Sequence, residues 1–385
     1  MMNNHEKIHN MPLLNGKSND SVSVNERMVL EIVRRHKNVM RSAISPLTNL
    51  TQPSVHRIID ALLERGLLKL GETIVHGRGK PSPALTLMST ARYSIGISVN
   101  TDSVSFCLCD FACHVIHEEV LDIPLDNRAR AMIMLKDRVR QALLDKHISA
   151  SDVVGVGFAM AGFLIGEMRM FNAPEPLRDW SLVDLRHELH ALFDMAVWTE
   201  NNGTTGALGE SLLGAGLDYP TFGYFSFNYG FGGGIIIDGK PFVGSFGNAG
   251  EISRIYTAQE SHSRPALGEL IKRLNNRGID IHSVSALRRD FNPDWPGVAE
   301  WVEEVGPYLN RAIDAMRAII DPQAIVFGGE LPHALGEMLL QIPLTVQIQR
   351  YGCNAYYPRM LISQIPGDPS VVGAAMMPFK ACYFA

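Results

Sequence analysis

The stretch LTQPSVHRIIDALLERGLL, Leu50–Leu68, decides how the N-terminal part of this chain folds. Val55, Ile58, Ile59, Leu62 and Leu63 recur at helical spacing and give one apolar face. Thr51 is placed to cap that helix, and Pro53 falls in its first turn, where a missing N–H removes no bond. Gly66 stops it. Upstream, NERMVLEIVRRHK (Asn25–Lys37) repeats Met28, Val29, Ile32 and Val33 at the same period, with Arg34, Arg35 and Lys37 on the other face. A second short helix is expected from about Arg41 to Thr48. Downstream, LLKLGETIVHGRGKPSPALTLM (Leu67–Met88) reads as a two-stranded ribbon with its tip at His76–Pro81. Helix, short helix, helix and ribbon are the plan of a winged helix-turn-helix over residues 23–88, whose third helix enters a major groove. A Gly-Arg-Gly-Lys tip suits a narrow minor groove, whose negative potential attracts arginine. The expected DNA-facing residues are Arg41, Gln52, Ser54, His56, Arg57, Arg78 and Lys80.

Charge supports that reading. From Glu26 to Lys80 there are ten Arg and Lys but five Asp and Glu, whereas the whole chain carries −5. A solvated face needs no such sorting; contact with phosphates does.

With 385 residues the chain is too long for one ordinary core. No run of about 18 apolar residues offers a membrane span. The polar start, residues 1–22, has no apolar signal core and is expected to be a flexible arm. Five cysteines, an odd number, make no disulfide framework and fit a cytoplasmic protein. Cys107 and Cys109 alternate on a strand, with Cys113 nearby; the reading is core packing, with no metal assigned.

After Ser89 the pattern changes. ARYSIGISVNTDSVSFCLCDFACHVIHEEVLDI reads as three strands, followed by a helix from about Arg128 to Lys146 and the strand DVVGVGFAMAG. A second run starts at Tyr224 with strand, Gly-rich turn and strand. Helices from about Arg264 to Leu274 and Val298 to Ile320, the strand QAIVFGG, and a last helix from about Val371 complete it. Strands alternating with helices mean an α/β architecture. Two βββ-αβα-like halves with a cleft between them are the layout of the actin/hexokinase type. Lobe 1 is expected at 89–201 and 367–385, lobe 2 at 202–366.

Five segments then resemble, in order, those of the ROK family (repressors, open reading frames, kinases). FNAPEPLRDW (Phe171–Trp180) is similar to the segment presenting a sugar-binding Asn, and TENNGTTGALGE (Thr199–Glu210) to the family's E-N-D-A-N-x-x-A-x-G-E. NYGFGGGIIIDGKPFVGSFGNAGEI (Asn228–Ile252) resembles its second phosphate loop and the A-G-E-I-G-H after it. DPQAIVFGGEL (Asp321–Leu331) and GDPSVVGAA (Gly367–Ala375) resemble its nucleoside-side strand and closing helix. The resemblance implies either a sugar kinase or a sugar-responsive repressor.

Against the kinase pattern the chain departs at several places. Asn202 stands where the base Asp of E-N-D would be, and an amide takes no proton near neutral pH. Ser98-Val99-Asn100-Thr101-Asp102 replaces D-x-G-G-T, and Asn228-Tyr229 replaces the Gly-Thr of the second loop. Loss of a general base alone removes about 10²–10⁴-fold of rate. The cysteine run of the family's zinc site is missing, and Arg254 occupies its His position. Glu269 sits near the place of a further sugar-contacting Glu but offset by one, and Glu175 replaces the sugar-binding Asn.

The polar set left to grip a ligand is Glu175, Asn201, Asn202, Glu251 and Arg254. Glu175 and Arg254 are expected to pair across an empty cleft, or Arg254 to hold an acidic or phosphorylated sugar. The expected function is a DNA-binding regulator of carbohydrate genes, most simply a homodimeric repressor or a dimer of dimers. Its partners would be an operator duplex and a sugar effector, with no cofactor. Two alternatives stay open: an active sugar kinase, and a repressor controlled by a protein partner.

Overall fold

The computed structural model describes residues 22–74, 82–166, 170–344, 351, 353 and 356–385. The Ser23 backbone N–H donates to Glu26 Oε2 (2.7 Å) and the Glu26 N–H to Ser23 Oγ (3.3 Å). This capping box starts helix α1 (Val24–His36), one residue earlier than the apolar period suggests. Strand β1 (Val39–Met40), helix α2 (Arg41–Ile44) with a 3₁₀ turn to Leu47, and helix α3 (Gln52–Glu64) follow. Thr51 takes the cap position of α3, but its hydroxyl meets Ser54 Oγ at 3.0 Å rather than a backbone N–H. Gly66, at φ 66°, turns the chain into strands β2 (Leu68–Ile74) and β3 (Ser82–Leu87). The ribbon expected with two strands has three, because β1 pairs antiparallel with β3. The arm up to residue 21 and the tip with Arg78 and Lys80 lie outside the described residues.

Two five-stranded sheets form the rest. The first contains β4 (Tyr93–Val99), β5 (Val104–Asp110), β6 (Val115–Leu121), β7 (Val153–Met160) and, beyond a small hairpin of β8 (Phe163–Ile165) and β9 (Met170–Asn172), β10 (Val197–Asn201). The second contains β11 (Phe222–Phe227), β12 (Phe231–Ile237), β13 (Lys240–Pro241), β14 (Ala324–Gly329) and β15 (Arg359–Ile362). Their orders, β10-β7-β4-β5-β6 and β13-β12-β11-β14-β15, follow one plan: an antiparallel meander, then two parallel strands. Eight helices accompany them among the described residues: α4 (Arg128–Asp145), α5 (Leu185–Phe193), α6 (Asn202–Leu213), α7 (Leu267–Asn276), α8 (Val284–Asp290), α9 (Val298–Ile320), α10 (His333–Leu340) and α11 (Pro369–Cys382). α5, α6, α8 and α10 had no helix reading from the sequence: α5, α8 and α10 have fewer than three turns and carry little periodicity, and α6 is buried almost all round and has no polar face to set a period. Residues 264–266 are not helical, so α7 begins later than expected.

α6 lies between the two sheets, against α11 on one side and β11 and β12 on the other, rather than belonging to one lobe. Glycines permit this closeness. A Cβ on Gly373 would stand 1.7 Å from Thr205 O, and one on Gly157 of β7 would stand 1.8 Å from Ala374 O. Cys107 and Cys109 are free and buried on β5, their sulfurs 4.0 Å apart, with Cys107 Sγ donating to Val371 O. Burial pushes the neighbouring Cys113 thiol up to about 12. Core residues Val29, Leu30 and Val33 of α1 belong to one cluster with Leu208, Leu212, Phe379 and Phe384. The helical head is therefore docked on the body through apolar contact.

Candidate functional site: a polar cleft and the helices beneath it

A cavity of about 640 Å³ opens between the sheets at the N-terminal end of α6. Asn201 caps that helix: its Oδ1 accepts from the Gly203 N–H at 2.6 Å, while its Nδ2 donates to Gly162 O (2.5 Å) and Glu251 Oε1 (2.9 Å). Asn202, 6% exposed, donates through Nδ2 to Asn100 Oδ1 at 2.6 Å. Its Oδ1 is buried without a partner among the described residues. Asn100 Nδ2 donates in turn to Asp368 Oδ2 (2.9 Å), and Asp368 caps α11 by accepting from Ser370 N (2.9 Å). The N-termini of α6 and α11 are thus joined by Asn202, Asn100 and Asp368.

Around Asp102, Glu118, Glu330 and Asp368, carboxylates crowd together. Asp102 Oδ2 accepts from the Val284 N–H at 2.7 Å, in the first turn of α8, beside the Ser283 cap. Burial raises Asp102 and Glu118 above the usual carboxylate range. Glu330, 3% exposed, is pushed up to about 8 by burial and by Asp368, against the opposing pull of Arg288 at 3.7 Å. The second loop is a short hairpin turn, Asn228–Gly230, between β11 and β12.

In the cavity lining, burial lifts Glu251 to about 7 although Arg254 pulls it down. The Arg254 guanidinium lies over the Phe163 ring at 4.5 Å, and Asn248 exchanges two bonds with Leu164 (2.7 and 2.8 Å). Both contacts cross the cleft. Arg264, which the sequence reading missed, also lines it, with a buried Nε that has no partner. Glu175 is a correction. Its side chain is 83% exposed, lies outside the cavity lining and is 3.9 Å from Arg178. The expected Glu175–Arg254 pair does not form, because a 3₁₀ turn directs residue 175 outward and leaves Pro174 and Pro176 at the wall. Glu269 pairs with Lys272 at 2.8 Å, away from the cleft.

The raised carboxyls make stability depend on pH. The folded state holds protons that the unfolded chain releases above the ordinary 4.5, so stability falls from about pH 4.5 to pH 7 through Glu251 and to pH 8 through Glu330. Glu330→Gln is expected to flatten the upper part of that decline and to raise stability at pH 8.5 by about 2–4 kcal/mol. Urea unfolding at pH 5, 7 and 8.5 reads this directly, and parallel curves for the two proteins would reject it.

On the head, Gln52, His56 and Arg57 are exposed at the N-terminal half of α3, with no side-chain partner among the described residues; Ser54 is half-buried. Arg41 pairs with Asp60 at 2.6 Å. The charge argument from the sequence narrows here, because three α1 arginines face the body. Arg27 Nε and Nη2 donate to Phe384 O (2.9 and 2.7 Å), and Nη2 also to Lys380 O (2.6 Å). Arg34, 8% exposed, donates to Leu212 O and is paired with Glu31; Arg35 Nη2 donates to Leu217 O at 2.8 Å. Leu212 and Lys380 are in the last turns of α6 and α11, where carbonyls lack helical partners and cations are favoured. The helices that open the cleft at one end hold the head at the other.

Comparison with known proteins agrees with this architecture. A xylose repressor of Caldicellulosiruptor bescii is 26% identical over 385 residues, covering 92% of this chain and 95% of that protein. The crystal structure of a ROK family transcriptional regulator, a homologue of the E. coli MLC protein, superposes with a TM-score of 0.67 at 17% identity, covering 93% and 96%. A ROK family glucokinase from Streptomyces griseus, in complex with glucose and AMPPNP, has a TM-score of 0.57 at 18% identity and covers 98% of itself but 74% of this chain. Among the described residues no helix is long and apolar enough to cross a membrane. Residues 94–380 match the model of the ROK family, and the chain belongs to that family.

Proposed function

We propose that this chain is a DNA-binding transcriptional regulator, a repressor of carbohydrate genes, controlled by a sugar or sugar derivative bound between its lobes. The observation that carries the reading is the pairing of an amide-lined cleft with a helical head at opposite ends of α6 and α11. The head is a winged helix-turn-helix: α3 with Gln52, Ser54, His56 and Arg57 reads a major groove, and Arg41, Arg78 and Lys80 hold the backbone or minor groove. The xylose repressor supports the biological class. In the cleft, Asn201, Asn202 and Glu251 bind hydroxyls, and Arg254 and Arg264 favour a ligand with an acidic or phosphorylated group. Ligand releases DNA because it binds the DNA-incompetent arrangement of the lobes more tightly. A homodimer places two α3 helices in successive major grooves, about one helical turn apart or a multiple of it.

The test is selection of binding duplexes from genomic DNA, followed by footprinting with and without neutral sugars, sugar acids and sugar phosphates. Replacing Arg57 with alanine is expected to cost about 1–3 kcal/mol on the selected site and to relax base preference at one position. Equal losses on selected and random duplexes would assign Arg57 to the backbone instead. A coupled assay for phosphate transfer from ATP separates this reading from a kinase, which the loss of a base at Asn202 and the Asp102–Val284 contact disfavour.

A further inference from the structure

A second cavity, of about 360 Å³, lies where the head meets the body, apart from the cleft. That volume is in the usual range for small-molecule sites, about 300–1,000 Å³. Its floor is apolar: Val33 of α1, Leu87 of β3, Cys113 after β5, and Leu212, Leu213 and Leu217 at the end of α6.

Its rim is sorted by charge. Arg34 and Arg35 line it but are engaged by Glu31 and by the Leu212 and Leu217 carbonyls. Lys37 and Lys69 also line it and have no ion-pair partner among the described residues. Asp110, the one carboxylate of the lining, already accepts from the His114 backbone N–H (2.9 Å) and lies 3.2 Å from His114 Nδ1. Lys69 stands directly opposite Thr86 in the β2–β3 register, which puts both side chains on one face with Cβ atoms about 5 Å apart. Thr86 Oγ1 is buried and has no partner. Lys37 is held in a rare turn: the Asn38 N–H donates to His36 O at 2.6 Å across a residue at φ 59°, ψ −43°. Backbone strain in a non-glycine residue persists where the surrounding structure fixes it, often beside a binding site.

We propose that this cavity is a second small-molecule site and that it takes an amphipathic organic anion, one carboxylate or sulfonate on an apolar body. The anionic group sits between the Lys37 and Lys69 ammonium groups and accepts the Thr86 hydroxyl proton in a hydrogen bond; the body rests on the leucine floor. A neutral sugar finds too few polar partners there, and a DNA duplex does not fit a space walled by α1 and the body. Because α1 forms one wall, an occupant also bears on how the head docks.

The experiment uses the full chain and 8-anilinonaphthalene-1-sulfonate, which has this chemistry and reports its own binding by fluorescence. One saturable site per chain is expected. Its affinity falls at least tenfold in Lys37→Glu/Lys69→Glu and several-fold in Thr86→Val, and stays unchanged in the cleft variant Arg254→Ala. Lys69→Arg retains binding, and the uncharged N-phenyl-1-naphthylamine binds at least tenfold more weakly. The lysines are exposed, so the variants fold, which thermal unfolding checks. Unsaturable fluorescence, affinity indifferent to both lysines, or loss of binding in Arg254→Ala overturns the proposal.

Discussion

Gly373→Ala is expected to lower stability by about 3 kcal/mol or more, the upper end of what overpacking costs in a well-filled core. The new methyl would stand 1.7 Å from Thr205 O and 3.0 Å from the Gly209 nitrogen, both backbone atoms of α6 that no rotamer change can move. Nor can α11 retreat. On its far side it rests on β4 and β7, where Gly96 and Gly157 leave room for no more than a hydrogen beneath the Val371 and Ala374 carbonyls. The substitution therefore separates helices that are held from both sides. Gly230→Ala is the matched control: it has nothing within 4 Å and lacks a positive φ, so its effect should stay within about 0.5 kcal/mol. Equilibrium urea unfolding compares the two, and a shift for Gly373→Ala no larger than the control would show that the helix pair tolerates spreading.

The second large effect concerns the head. Removing both Arg27 and Arg34 with alanine deletes charged hydrogen bonds to Phe384 O, Lys380 O and Leu212 O, each worth about 1.5–3 kcal/mol. It also removes the guanidinium that lies 5.6 Å from the Phe384 ring. The body should keep its fold, since its sheets do not depend on these side chains. The head should loosen: unfolding splits into two transitions, and α1 amides exchange hydrogen faster by at least tenfold. If the cleft acts on DNA through α6 and α11, this variant also binds the selected duplex equally with and without effector. A single cooperative transition with wild-type protection of α1 would refute the docking role of the arginines.

Much of the architecture was legible because it is local. The apolar period of α3 marks its buried face through Val55, Ile59 and Leu62, that of α1 does so only in part because Leu30 and Arg34 are buried too, and α9 runs over Val298–Ile320 as read. The strand meander after Ser89 and the departures at Asn202 and Asp102 are visible in one dimension, since each is a residue type at a place in an ordered series of segments. Short elements were not legible. β1, two residues long, is completed by Leu85 and Ala84 far away in the chain, and α8, seven residues long, adds to its local Ser283 cap a bond from Val284 N–H to the distant Asp102.

The sequence by itself determined the long periodic helices and the strand-rich runs, the amide at position 202 and the carboxylate at position 102, and that basic charge gathers near the start. Only the tertiary structure decided what those charges meet. Arg27, Arg34 and Arg35 read as a solvent or phosphate face, yet their partners lie more than 170 positions further on. Glu175 read as a ligand contact, yet the turn carrying it faces outward, while Arg264 came to the cleft unannounced. The physical reason is one of range: backbone periodicity fixes the direction of a side chain within its own element, but its partner depends on how whole sheets and helices pack, which no local pattern encodes.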